Sequence, residues 1–175
     1  NWPTRQRLQA RGSGLDPPGG ESRGTLHVAS LFQSTAIMAS YNPGRSPNVA
    51  IIINSILSNP LVAEFILVWN GPPSKVPSFK GKVHADKLPR LRVLSMERNT
   101  LNNRWRDDLG VKTSTVLMMD DDMLVNDRKL IWAYQELWRR RPQSLISLFP
   151  RNYLGRPQYD VVLPRIMMLS TAYLT

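Results

Sequence analysis

Three adjacent carboxylates, Asp120, Asp121 and Asp122, follow a run of strand-forming residues in the stretch TVLMMDDDMLV at 115–125. Like charges set side by side repel, so the triplet calls for a positive partner. A divalent cation suits it, because Asp oxygens are hard ligands. Mg²⁺ or Mn²⁺ takes one or two carboxylates and completes its shell with water and substrate phosphates. An EF-hand is excluded, since no Gly follows at the sixth position of such a loop and no Glu at the twelfth. A phosphatase-type aspartate nucleophile would need its Asp-x-Asp after the first strand, and this triplet follows about the fourth. Taken alone, the acids read equally as a solvated strand end leading to a helix cap at Asp127.

A second cluster, NTLNNRW at 99–105, sets Asn99, Asn102 and Asn103 beside Arg104. Arg grips phosphate bidentately and Asn both donates and accepts, so these residues suit a nucleotide's phosphates and ribose. They equally suit a helix-capping loop. In a third, FPRNY at 149–153, Arg151 lies just beyond a predicted strand, where it would face an acid, a substrate or solvent.

These residues need elements to hold them, and the pattern along the chain supplies those. TAIMASY at 35–41 is a short buried strand stopped by Asn42-Pro43-Gly44. Ser46 then acts as a cap and Pro47 as first helical residue, with Val49, Ile52, Ile53, Ile56 and Leu57 on one face until Asn59-Pro60. EFILVWN at 64–70 is the next strand, and a Pro/Gly-rich loop follows to Pro89. Residues 91–96 and 115–119 give two more strands. Asp127 caps a helix to about Arg141, with Ile131, Tyr134, Leu137 and Trp138 as its core stripe. Near-continuous apolar strands joined through helices predict an α/β fold with a mainly parallel sheet covered on both faces. In such sheets ligands bind outside the carboxyl ends of the strands, where Tyr41-Asn42, Trp69-Asn70 and the Asp triplet fall.

The 175 residues contain no cysteine, which removes thiolate metal sites and cysteine nucleophiles. Two histidines far apart in the chain, His27 and His84, argue against a His-based centre. A net charge of +10 favours polyanionic partners without choosing among them. Nucleic acid is not expected, because aromatic platforms are not interleaved with the basic residues. The run Arg139-Arg140-Arg141 closes the last helix, where cations suit the carboxyl-end dipole. No apolar run approaches the ~20 residues of a membrane span, and the start NWPTRQRLQARGSG lacks a signal-peptide core. Residues 1–24 read as a disordered leader or stem, and residues 25–175 as the domain. The absence of an initial Met suggests a fragment, with any membrane anchor upstream.

Taken in order, SYNP, LVWNG, NTLNNRW, VLMMDDDM and FPRNY resemble the exostosin-type glycosyltransferase domain, family 64 of the glycosyltransferases, from about residue 35 to the end. The resemblance implies a GT-A type fold, a mixed, mainly parallel sheet flanked by helices, incomplete here at its C-terminal part. It implies Mn²⁺ (or Mg²⁺) and transfer of an N-acetylhexosamine or related hexose from a UDP-sugar, with retention, to a glycan or glycolipid acceptor. It assigns Ser40, Asn54, Asn70, Asn99 and Arg104 to the uridine diphosphate. Asp120 and Asp121 go to ribose and sugar, Asp122 to the metal, and Arg151 to the acceptor side. The main catalytic acid would follow Thr175. A type II membrane protein of the Golgi or endoplasmic reticulum lumen is implied as well. Two departures stand out: Ala39 replaces an expected Gln, and Pro164-Arg165 replaces a Gly-Ala neighbourhood. The competing reading is a non-catalytic module that binds metal and nucleotide, or a polyanion.

Overall fold

The computed structural model describes residues 33–125, 127–147 and 166–174. The predicted leader, Arg151 and Pro164-Arg165 lie outside the described residues. Strands β1 (Ser34–Ser40), β2 (Val62–Trp69), β3 (Leu91–Ser95), β4 (Thr115–Met119), β5 (Ile146–Ser147) and β6 (Ile166–Ser170) form one sheet in the order β3-β2-β1-β4-β6-β5. Strands β1 to β4 run parallel, β6 runs antiparallel to β4, and β5 antiparallel to β6. This is the mixed, mainly parallel sheet that the sequence predicts. Strand order reverses between β1 and β4, which opens a crevice at their carboxyl ends.

Helix α1 (Ser46–Leu57) buries Val49, Ile52, Ile53, Ile56 and Leu57, as their spacing requires. Its start corrects the predicted cap. Asn42 accepts from Gly44 N at 2.9 Å and begins a 3₁₀ turn, Pro43–Arg45, that runs straight into the helix. Ser46 is therefore already helical, and its Oγ donates back to Pro43 O at 2.6 Å. Arg45 holds the cap position without a side-chain capping bond.

Helix α2 (Arg128–Arg140) starts as expected, with Asp127 accepting from Lys129 N at 2.8 Å. Ile131 and Tyr134 are buried and Trp138 packs partly against the same core. Leu137, expected in this stripe, is exposed. The stripe passes instead through Gln135, four residues after Ile131. Buried Gln135 is satisfied by donating to Ser34 Oγ at 3.1 Å and Leu61 O at 3.2 Å, so a polar residue replaces a leucine without an orphaned amide.

The two helices cover one face, packing on Ala36, Met38, Phe65, Leu67, Leu117 and Met119. The alternate residues Ile37, Ile66, Val68, Val116 and Met118 face the other way. Among the described residues that second face is covered by Trp105 and Leu109 of two 3₁₀ turns, Leu101–Trp105 and Asp107–Leu109, and by Val111, with no α-helix. Gly110, at φ 64°, ends the second turn in the left-handed region that glycine adopts without strain. Arg92 on the edge strand β3 ties these pieces together, donating to Glu64 Oε2 at 3.0 Å and to Leu109 O at 2.9 Å.

The helix-covered face makes the larger apolar contribution, and Phe65 is fully buried at its centre. Phe65→Ala should cost about 3–5 kcal/mol of unfolding free energy, whereas Leu137→Ala should stay within about 0.5 kcal/mol. Urea unfolding followed by circular dichroism checks both; a large loss at Leu137 would restore it to the core.

Candidate functional site

The parallel register brings the strand ends level, pairing Ser40 with Trp69 and Trp69 with Ser95. Asn70 N donates to Ser40 O at 2.8 Å and Met96 N to Trp69 O at 2.9 Å, which holds the exits of β1, β2 and β3 together. Gly71 is required here. A Cβ at that position would lie 2.5 Å from the Trp69 ring and 2.6 Å from Tyr41 O, so only glycine lets the buried indole turn back to donate to Pro72 O at 3.1 Å.

The three acids leave β4 into three different environments. Asp121 is buried, with both oxygens engaged: Ser40 Oγ donates to Oδ2 at 2.6 Å, and Arg45 Nη1 pairs with Oδ1. Asp120 accepts from Arg104 Nη1 at 2.8 Å, and that arginine is only 7% exposed. Asp122 is exposed and lines an open cavity of about 360 Å³ with Arg45, Asn48, Ile51, Ile52, Asp121 and Leu124. The pKa of Arg45 is raised, first by its hydrogen bond to Asp121 and that carboxylate's charge, then by Asp122 and Tyr41.

Two of the three carboxylates thus have arginines as the positive partners, where the sequence reading favoured a divalent metal ion. Arg45 is the residue of this edge that sequence reading missed. Its signal, a single Arg in the turn after the first strand, says nothing of a partner 76 residues away. Arg104 lies where expected but is turned onto Asp120, and its Nε is buried without a hydrogen-bond partner.

The amide cluster divides between structure and surface. Asn70 Oδ1 accepts from Asn103 Nδ2 at 2.7 Å, Asn70 Nδ2 donates to Thr100 O at 2.9 Å, and Asn103 also reaches Arg98 O at 2.7 Å. Thr100 caps the following turn by accepting from Asn102 N at 3.3 Å, so the capping role that the sequence allowed is present too. Asn99 in the same loop is exposed. The structure therefore brings Ser40, Asn70, Arg104, Asp120, Asp121 and Asp122 to one edge, with Asn99 in the adjoining loop. Asn54 is not brought there. It lies at the start of the last turn of α1, and its amide is used on a distant loop, donating to Lys82 O at 3.0 Å and accepting from His84 N at 2.9 Å.

Among the described residues no group of three or more His, Cys, Asp or Glu is disposed to hold a metal ion. Asp120 and Asp121 already face arginines, so a three-carboxylate site does not fit. A site of one carboxylate completed by phosphate and water does fit, with Asp122 as its open hard donor.

Asp121 depends on Ser40 within the fold, while Asp122 is free of such work. Ser40→Ala should cost about 1.5–3 kcal/mol, the range for a hydrogen bond to a charged group, and Asp122→Asn should cost less than about 0.5 kcal/mol. Thermal and urea unfolding of the two variants tests this; equal losses would mean that Asp122 too is structural.

Residues 34–174 match the model of the Glycosyl transferase family 64 domain. The glucosamine inositolphosphorylceramide transferase 1 of Arabidopsis thaliana is 29% identical over 122 residues, 69% of this chain and 15% of that protein. Exostosin-like 2 of Mus musculus is 28% identical over 128 residues, 73% of this chain and 38% of that protein. The chain thus spans well under half the length of these two relatives. In fold it is similar to S. aureus TarS 1-349 in complex with UDP, with TM-score 0.51 at 15% identity, over 80% of this chain and 47% of that one. With the family's pattern running from β1 to residue 174 through the whole carboxyl edge just described, the chain belongs to glycosyltransferase family 64.

Proposed function

We propose that this chain forms the nucleotide-sugar-binding part of a retaining glycosyltransferase, which moves an N-acetylhexosamine or related hexose from a UDP-sugar to a glycan or glycolipid. The observation that carries this reading is the single open carboxylate of Asp122, set beside two arginine-compensated acids at the reversal of strand order. The UDP bound to S. aureus TarS supports the choice of nucleotide.

In this reading Asp122 would be the residue that holds Mn²⁺ (or Mg²⁺). When bound, such an ion supplies charge neutralisation for a departing diphosphate. Asp120 and Asp121 present fixed oxygens to ribose and sugar, their positions set by Arg104 on one side and by Ser40 and Arg45 on the other. Asn70, Asn99 and the 101–105 turn wall the nucleotide. Asn54 takes no part, its amide being spent on residues 82 and 84. Arg151 serves the acceptor side. The place of action in this reading is the lumen of the Golgi or endoplasmic reticulum. Among the described residues no helix is long and apolar enough to cross a membrane.

UDP binding should require Mn²⁺, because diphosphate and Asp122 repel without a bridging cation. Isothermal titration with UDP in Mn²⁺ and in chelator checks this, and equal affinity in the two overturns it. Asp122→Asn should weaken Mn²⁺-dependent UDP binding by about tenfold or more. Asp127→Asn should leave that binding intact while costing at most about 1 kcal/mol of stability through a poorer cap. The reverse ranking would put the metal on the wrong acid. Acceptor-dependent release of UDP from UDP-N-acetylglucosamine or UDP-N-acetylgalactosamine distinguishes turnover from a module that only binds.

A further inference from the structure

We propose that Arg45 sets the divalent-cation affinity of this edge, keeping it low until a nucleotide diphosphate arrives. The proposal rests on the reading of Asp122 as the metal's carboxylate, and it concerns a residue which that reading leaves as a neighbour.

The charges at the edge nearly cancel. Asp120, Asp121 and Asp122 carry three negative charges, and Arg104 and Arg45 carry two positive ones against Asp120 and Asp121, so 3 − 2 leaves one. A lone exposed carboxylate is a weak partner for Mn²⁺ or Mg²⁺, which need phosphate oxygens to complete a firm shell. Arg45 lowers metal affinity in two ways. Its guanidinium adds a positive charge to the wall of the cavity that Asp122 lines, and it occupies Oδ1 of Asp121, the oxygen Ser40 leaves free. Were Arg45 neutral, the edge would carry two uncompensated charges and a second open oxygen.

Arg104 cannot play this part. It is 7% exposed and lies beneath its carboxylate, whereas the side chain of Arg45 is 41% exposed on the cavity side. The backbone that carries Arg45 is fixed on both sides, by the Asn42 side chain accepting from Gly44 N and by Ser46 Oγ donating to Pro43 O. The cation is thus built into the turn between β1 and α1. A site of this kind takes metal and nucleotide together, each raising the other's affinity by the same factor.

The test is Mn²⁺ binding to this chain without nucleotide, by isothermal titration and by the electron paramagnetic resonance signal of free Mn²⁺. Arg45→Gln should bind Mn²⁺ about tenfold more tightly than the wild type, the order expected from removing one unit charge a few ångströms from a divalent ion. Arg45→Lys, which keeps the charge, should stay within about threefold of the wild type. If Arg45→Gln does not fold, Arg45→Met, which keeps much of the apolar stem, takes its place. Unchanged or weaker Mn²⁺ binding in the neutral variant overturns the proposal, and so does tightening in Arg45→Lys equal to that in Arg45→Gln. If the wild type binds Mn²⁺ with UDP but the neutral variant shows no gain, only the role of Arg45 falls. If the wild type binds no Mn²⁺ even with UDP, the functional reading falls and takes this one with it.

Discussion

A strand buried along its whole length cannot run on into carboxylates that stay wholly or partly buried, as Asp121 and Asp120 do, unless their charge is answered on the spot, because burial without a partner costs several kcal/mol per ion. In this fold the answer comes from two arginines on opposite sides of β4. Arg45 arrives from the turn after β1, and Arg104 from the 3₁₀ turn after β3. Much of the architecture around the site amounts to the means of delivering those two guanidinium groups. The parallel order β3-β2-β1-β4 sets both turns at the carboxyl edge, and the Asn70–Asn103 amide pair holds the second of them in place.

Register makes this delivery specific. β1 and β4 pair Met38 with Met119, and two steps further along both chains Ser40 comes opposite Asp121. Its hydroxyl at 2.6 Å is the direct result. A slip of one residue would aim Asp121 at the other face of the sheet. The polar pairs at the opposite end, Ser34 with Thr115 at 2.7 Å and Thr35 with Thr113 at 2.9 Å, work against such a slip, since any other alignment would bury hydroxyls without partners.

The elements were legible in the sequence wherever the apolar spacing was strong and local. β4 and the buried face of α1 follow directly from their side chains, and so does the Asp127 cap. The acids and amides of the site were legible as types at strand ends. Their pairing was not, because a bond between Arg45 and Asp121 spans 76 residues and exists only once β1 and β4 are neighbours. Leu137 and Gln135 failed for a related reason. Helical spacing allows either to border the stripe, and the choice is made by Ser34 and Leu61 O, two acceptors that belong to other elements. Asn54 was assigned to the nucleotide by resemblance alone, and only the fold showed that a distant loop takes both ends of its amide.

The turns at 101–109 have two duties, since Trp105 and Leu109 roof the sheet's second face while Arg104, immediately before Trp105, grips Asp120. A helix would have separated the roof from the grip. Here one excursion that lifts this segment would both wet Ile66, Val68 and Met118 and release the carboxylate beside them. The apolar effect therefore acts as a spring on the polar edge: the tendency of that face to stay dry restores the geometry of the acids after each thermal opening. Drift in the sequence of this segment is constrained twice over, by a requirement for grease and by a requirement for charge, within five consecutive residues of a single short turn.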